Sequence, residues 1–200
     1  TGLDLGQGAA GTLDATEYNG SGLLNAEVYA SNNDGTVKFG PATNWIEVGR
    51  DGQSFEFQFD NTNNTAFGQG STITSFSKTS PNDTIALNGS DFTTNGFTGD
   101  VWNGGASPAD MSTLDWNDYT AGDAVVVGDT DATSVADMTA DLDSAANETQ
   151  FSSGDQFLVI WENSDTVEVG RVDHDGTDFS STPNYTEIVE LTGVADTNNF

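Results

Sequence analysis

The stretch SFEFQFDN (54–61) sets Phe55, Phe57 and Phe59 against Glu56 and Gln58. In an extended chain successive side chains point to opposite faces, so the three phenyl rings share one side and the polar residues the other. The same alternation recurs in short runs. LLNAEVYAS (23–31), TVKFG (36–40), NWIEVG (44–49), STITSFSKT (71–79) and DTIALNG (83–89) carry it in the first half. In the second half DAVVVGD (123–129) reads as a buried strand, and DQFLVIWEN (155–163), TVEVGRVDH (166–174) and TEIVELTGV (186–194) complete a three-strand set. Runs of this length, bounded by Gly, Asn and Asp, are strands. NNDG (32–35) and RDGQ (50–53) are expected to be hairpin turns, because Asn, Asp and Gly tolerate positive φ. The clearest expected hairpin joins 44–49 to 54–61. It buries Phe55, Phe57 and Phe59, with Trp45 or Ile46 of the preceding strand beside them.

One segment has a different period. In DATSVADMTADLDSAANET (131–149), Val135, Met138, Leu142 and Ala145 lie three or four apart, the spacing of one helix stripe. The expected helix lies near 131–146, with Asp131 or Thr130 as its N-cap. The fold class is therefore all-β: an antiparallel sandwich or roll of about ten short strands with this one short helix. No exact short repeat marks the chain. Residues 1–20 read as an extended N-terminal arm and 21–200 as a β domain, with halves 21–92 and 93–200 as the alternative division.

Charge limits what such a fold can meet. Thirty-two acidic residues face four basic ones, for a formal net charge of −28. Self-repulsion at that level opposes compaction unless cations screen or bind. Nucleic acid and anionic membrane are poor partners for the same reason. Twelve Phe, four Trp and four Tyr argue against the disorder that strong acidity otherwise suggests. The chain has no cysteine, so disulfides and thiolate metal sites are excluded. No stretch approaches the roughly 20 apolar residues of a membrane-spanning helix, so membrane insertion is not expected. The first twenty residues lack the basic start and apolar centre of an export leader. High salt, seawater or millimolar calcium suits this composition, and an extracellular or cell-surface location is expected.

Three places carry candidate chemistry. VDHDGTD (172–178) sets Asp173, Asp175 and Asp178 around Gly176. Calcium takes six to eight oxygens, which a short loop alternating carboxylates with a turn glycine can begin to supply. Position twelve of a full EF-hand loop would need Glu, and Asn184 stands there. Calcium at Asp173, Asp175 and Asp178 is weighed against a turn with solvated carboxylates; SNNDG (31–35) and FDNTNN (59–64) are weaker candidates. The only histidine, His174, sits between two aspartates and is expected to be an exposed loop residue. No nucleophile elbow, H-E-x-x-H, P-loop or dinucleotide fingerprint is present, so the chain is not expected to be an enzyme. In the irregular stretch 90–120, Trp102 and Trp116 are candidate ligand-contact aromatics, with a glycan as the ligand considered. In the arm, Leu3, Leu5 and Leu13 alternate with small and polar residues. They are candidates for adding a strand to a neighbouring subunit.

The C-terminal strings also carry a resemblance. VADMTADLDSAANET, SGDQFLVIWEN, TVEVGRVDHDGTD and TEIVELTGV occur in that order, after TITSFSKTSPNDTIALNGSDF (72–92). This order resembles the C-terminal modules of type I-secreted repeats-in-toxin-like proteins and of bacterial surface-layer proteins. The resemblance covers about 72–200 and is best over the last seventy residues. It implies export without an N-terminal leader, an extracellular location and calcium as the ion. The glycine-rich calcium nonapeptide of that group is absent, so its long calcium-bound roll is not implied. SSGDQFLVIWENSDTVEVG is also similar to the last hairpin of archaeal pilin-like subunits, but residues 1–20 hold no long apolar helix. The expected function is an extracellular structural subunit that self-assembles into a surface layer, filament or matrix, stabilised by cations. The alternatives are a calcium-dependent adhesin or carbohydrate-binding module, and a virion structural protein from a saline host.

Overall fold

The computed structural model describes residues 3–4, 11–16, 24–29, 33–39, 44–49, 53–59, 71–77, 82–87, 101–102, 124–125, 132–145, 149, 151–154, 156–163, 166–179 and 185–193. The chain divides into two compact units. One comprises Thr1–Asp91 with Val189–Val194, and the other is centred on Phe92–Ile188.

The first unit is built from parallel strands. They are β1 (Leu3–Asp4), β2 (Thr12–Asp14), β3 (Leu24–Tyr29), β4 (Gly35–Phe39), β5 (Asn44–Val48), β6 (Phe55–Phe59), β7 (Ser71–Thr74) and β8 (Thr84–Leu87). The odd strands form one sheet in the order β1-β3-β5-β7, and the even strands another in the order β2-β4-β6-β8. Every one of these pairings is parallel. The chain therefore alternates between sheets and comes back one strand further along at each turn. Leu24 pairs with Asn44 and Gly35 with Phe55, so two successive turns repeat after 20 positions (24 to 44, 35 to 55). The next turn is longer, since Trp45 pairs with Thr72 and Glu56 with Thr84.

This arrangement corrects the expected hairpins. β5 and β6 lie in different sheets, and so do β3 and β4, so neither pair is a hairpin. Alternation fixes which face of a strand is buried but not which strand lies beside it. The polar residues before β4, β6 and β8 link successive turns. The Asp34 carboxylate accepts the Ser54 N–H at 3.0 Å, and the Ser54 hydroxyl accepts the Asn82 N–H at 3.2 Å. Asp83 is buried and accepts the Phe55 N–H at 2.9 Å and the Ser77 N–H at 2.8 Å through its two oxygens.

The expected faces hold. Phe55, Phe57 and Phe59 are all buried, and so is Ile46; Trp45 is half-buried. Because the turns stack in register, like residues form columns. Phe39 lies on Phe59 with ring centroids 4.4 Å apart and planes 6° from parallel. Ile46 lies beside Ile73. A Cβ on Gly35 would stand 2.6 Å from the Phe55 ring, so the ring occupies the space that a side chain at 35 would need. Gly35→Ala should cost about 1–3 kcal/mol by overpacking. Urea unfolding measures this, and an unchanged midpoint would mean that the ring has room to move.

In the second unit β9 (Val101–Trp102) pairs in parallel with β10 (Ala124–Val125). The helix α1 (Val135–Ser144) follows, and then β11 (Gln156–Asn163) and β12 (Thr166–Asp173), an antiparallel hairpin with Asn163 opposite Thr166. The last strand, β13 (Tyr185–Thr192), runs from this unit into the first, where Val189–Thr192 pair in parallel with β7. Among the described residues the fold is thus mostly strand with one short helix, as expected. Its pairing is mixed parallel and antiparallel, which replaces the expected antiparallel sandwich or roll.

The helix starts later than expected. Ser134, not Asp131 or Thr130, is the N-cap, and its hydroxyl accepts the Asp137 N–H at 3.2 Å. The Asp137 carboxylate accepts from the Thr133 hydroxyl at 2.5 Å, a bond that holds its pKa below the ordinary value. Met138, Leu142 and Ala145 of the expected stripe pack with Phe151, Val159, Trp161, Val172 and Phe179. Val135, in the first turn, is 38 % exposed and lies outside the stripe. No helix among the described residues is long and apolar enough to cross a membrane.

Candidate functional site

The acidic loop begins where β12 ends. Asp173 is drawn back along its strand by Arg171, whose Nη2 stands 3.1 Å from its Oδ2. Asp175 closes the turn. Its Oδ1 accepts the N–H groups of Thr177 at 2.7 Å and of Asp178 at 3.1 Å. Gly176 takes φ +98°, a left-handed conformation suited to glycine. Asp173 is thus engaged in an ion pair and Asp175 in the turn. Among the described residues no group of three or more His, Asp or Glu is placed to hold a metal ion.

His174 corrects an expectation: it is 2 % exposed. Its ring lies 4.6 Å from Phe179, edge to face, and 5.5 Å from Phe151. Nδ1 accepts the Gly176 N–H at 3.0 Å, and the backbone oxygen accepts the Gly154 N–H at 2.8 Å. The Phe179 N–H donates to Asp143 of α1 at 2.5 Å. The loop is therefore anchored to the core by its histidine while Asp175, Gly176 and Thr177 remain exposed. The flanking aspartates hid this, because they read as solvated and Phe151 comes from before β11.

A second polar cluster was not expected from the sequence. The Trp161 Nε1–H donates to the Tyr185 hydroxyl at 3.1 Å, and that hydroxyl donates to Glu168 Oε2 at 3.0 Å. Glu168 is buried. Burial, and then the Glu168 charge, push the Tyr185 hydroxyl pKa well above its usual value. The phenol stays a donor at any ordinary pH and joins the strands. Gly170 gives the Tyr185 ring its place, since a Cβ there would stand 2.2 Å from the ring.

Two of the residues expected in the arm lie in described strands. Leu3, in β1, pairs with Val28 of β3, and Leu13, in β2, pairs with Val37 of β4. β1 and β2 are thereby the outermost strands of their sheets. Leu13 is half-buried. Leu5 lies outside the described residues, and so does Trp116. Of Trp102 the structure describes the backbone, which pairs with Val125. Asp34 of SNNDG makes the Ser54 contact described above, and 60–64 of FDNTNN lie outside the described residues.

Comparison with protein-family models, with curated proteins and with solved structures finds no match to the chain. The resemblance over 72–200 rests on its sequence strings alone.

Proposed function

We propose that the protein is an extracellular structural subunit, without a reaction of its own, that assembles into a surface layer, filament or matrix while cations quench its acidic faces. One observation carries the reading. The column Leu13–Val37–Phe57–Ile85 runs through the even sheet in register. Val37 is 1 % and Phe57 0 % exposed, while Leu13 and Ile85 at the two ends are only half-buried. Stacked-strand proteins that stay single need polar caps on their terminal repeats. Apolar residues at both ends of a column favour association. The acidity and the resemblance to secreted surface modules support the location. Sedimentation velocity at rising protein concentration, in sodium and in calcium chloride, tests the reading. Species larger than the monomer support it, and a monomer under every condition contradicts it.

Cation dependence follows from register. Glu27 and Glu47 stand directly opposite each other on β3 and β5. Neighbouring strands lie about 4.8 Å apart, and like charges in that position destabilise a sheet. Added sodium should raise the melting temperature, and Glu47→Gln should raise it at low salt and flatten the salt response. Calcium that binds the folded state adds stability by mass action. The melting temperature should therefore rise more in calcium than in sodium of equal ionic strength. Asp173→Ala with Asp175→Ala should remove most of that difference if the loop is the site. Identical melts at matched ionic strength would leave screening alone.

A further inference from the structure

The hydrogen bonds of β2 show which way its backbone faces. Gly11 offers its carbonyl to the Thr36 N–H at 2.9 Å, and the Ala15 N–H donates to the Lys38 carbonyl at 2.9 Å. In a parallel ladder alternate residues address the same neighbour. Gly11, Leu13 and Ala15 therefore face β4, and Thr12 and Asp14 turn their N–H and C=O groups to the opposite side. β2 is the edge of its sheet, and both Thr12 and Asp14 are exposed.

We propose that this edge is where two copies of the chain meet, β2 against β2, antiparallel about a two-fold axis at Leu13. The inference rests on the structural-subunit reading and names its first contact. With Leu13 opposite the second copy's Leu13, Thr12 stands opposite Asp14 and Asp14 opposite Thr12. Those are the two residues whose backbone groups face outward, and an antiparallel hydrogen-bonded pair exchanges both N–H···O bonds. Opposite residues point to the same face, so both Leu13 side chains turn to the side that Val37 and Phe57 fill. The half-buried Leu13 end of the column is covered in both copies at once, and the Ile85 end at β8 stays free for further contacts.

Charge favours a second copy as the occupant. Residues 1–16 carry only Asp4 and Asp14 in a chain of net charge −28, so two copies meet here with little repulsion. The two-fold register sets each Asp14 against a threonine, where like charges would be unfavourable. Head-to-tail stacking of β2 on β8 is disfavoured by the other sheet. It would bring the second copy's β1 to the place beside β7 that Val189–Thr192 already take. The contact is therefore isologous and closes as a dimer.

Cysteine cross-linking tests the register. Residues opposite each other in the non-hydrogen-bonded position have Cα atoms about 4.5 Å apart, within disulfide range. The chain has no cysteine of its own. Under mild oxidation Leu13→Cys should give a reducible covalent dimer as the main species, and Thr84→Cys at the β8 edge should give little. Thr12→Pro removes only an outward N–H and should abolish the dimer in sedimentation equilibrium with the melting temperature unchanged. Should that variant unfold, the cross-link still decides. Equal cross-linking at 13 and 84, or a Thr12→Pro protein that folds and dimerises like the parent, overturns the proposal. Larger assemblies without a cross-link at 13 overturn this edge and leave the subunit reading standing. A monomer at every concentration overturns both.

Discussion

Phe57→Ala should destabilise the protein by about 3–5 kcal/mol, the range for removing a large side chain from a packed core. Phe57 is fully buried, with the rings of Phe39, Phe55 and Phe76 at centroid distances of 6.3, 6.0 and 6.1 Å. It pairs with Val37 on one side and Ile85 on the other, so truncation opens a void in the middle of a column rather than at an end. Urea or thermal unfolding reads the loss. Leu13→Ala, at the half-buried end of the same column, should cost clearly less in the monomer. Equal losses at 13 and 57 would contradict the stacked arrangement, and a loss near zero at 57 would contradict the assigned strand face.

Asp83→Ala should be nearly as damaging although it removes no apolar group. The carboxylate accepts the N–H groups of Phe55 and Ser77 from a buried position. Each buried donor left without an acceptor costs roughly 1–3 kcal/mol. Asp83→Asn keeps one oxygen and should recover part of the loss. Asp34→Ala, whose carboxylate is exposed and accepts the Ser54 N–H, should cost much less. Similar losses at 34 and 83 would show that these contacts do not depend on burial.

These two residues mark the line between what could be read in the sequence and what could not. The burial of Phe57 was legible because period two is a local property: SFEFQF alone places the rings on one face. The partner strand was not, since NNDG and RDGQ suit a tight hairpin and a connection between sheets equally well. The turn repeat left a trace in Glu27-Val28 against Glu47-Val48 and in Phe39 against Phe59. The repeat is faint because pattern rather than identity recurs and the next turn is longer. Asp83 had no distinguishing mark among thirty-two acids. The helix stripe from Met138 to Ala145 was legible, but its start was not, because Thr130, Asp131, Thr133 and Ser134 can all cap. The contacts of His174 with Phe151 and Gly154, and the Trp161–Tyr185–Glu168 set, join distant segments, which no local spacing encodes.

The central claim is that the chain exists to assemble. Electron microscopy of the purified protein, in sodium chloride and in calcium chloride of equal ionic strength, tests it most directly. The account predicts ordered sheets or filaments built from one repeating particle, more extensive where cations quench the acidic faces. Dispersed single particles in both solutions, at concentrations well above those of the sedimentation measurements, would contradict it.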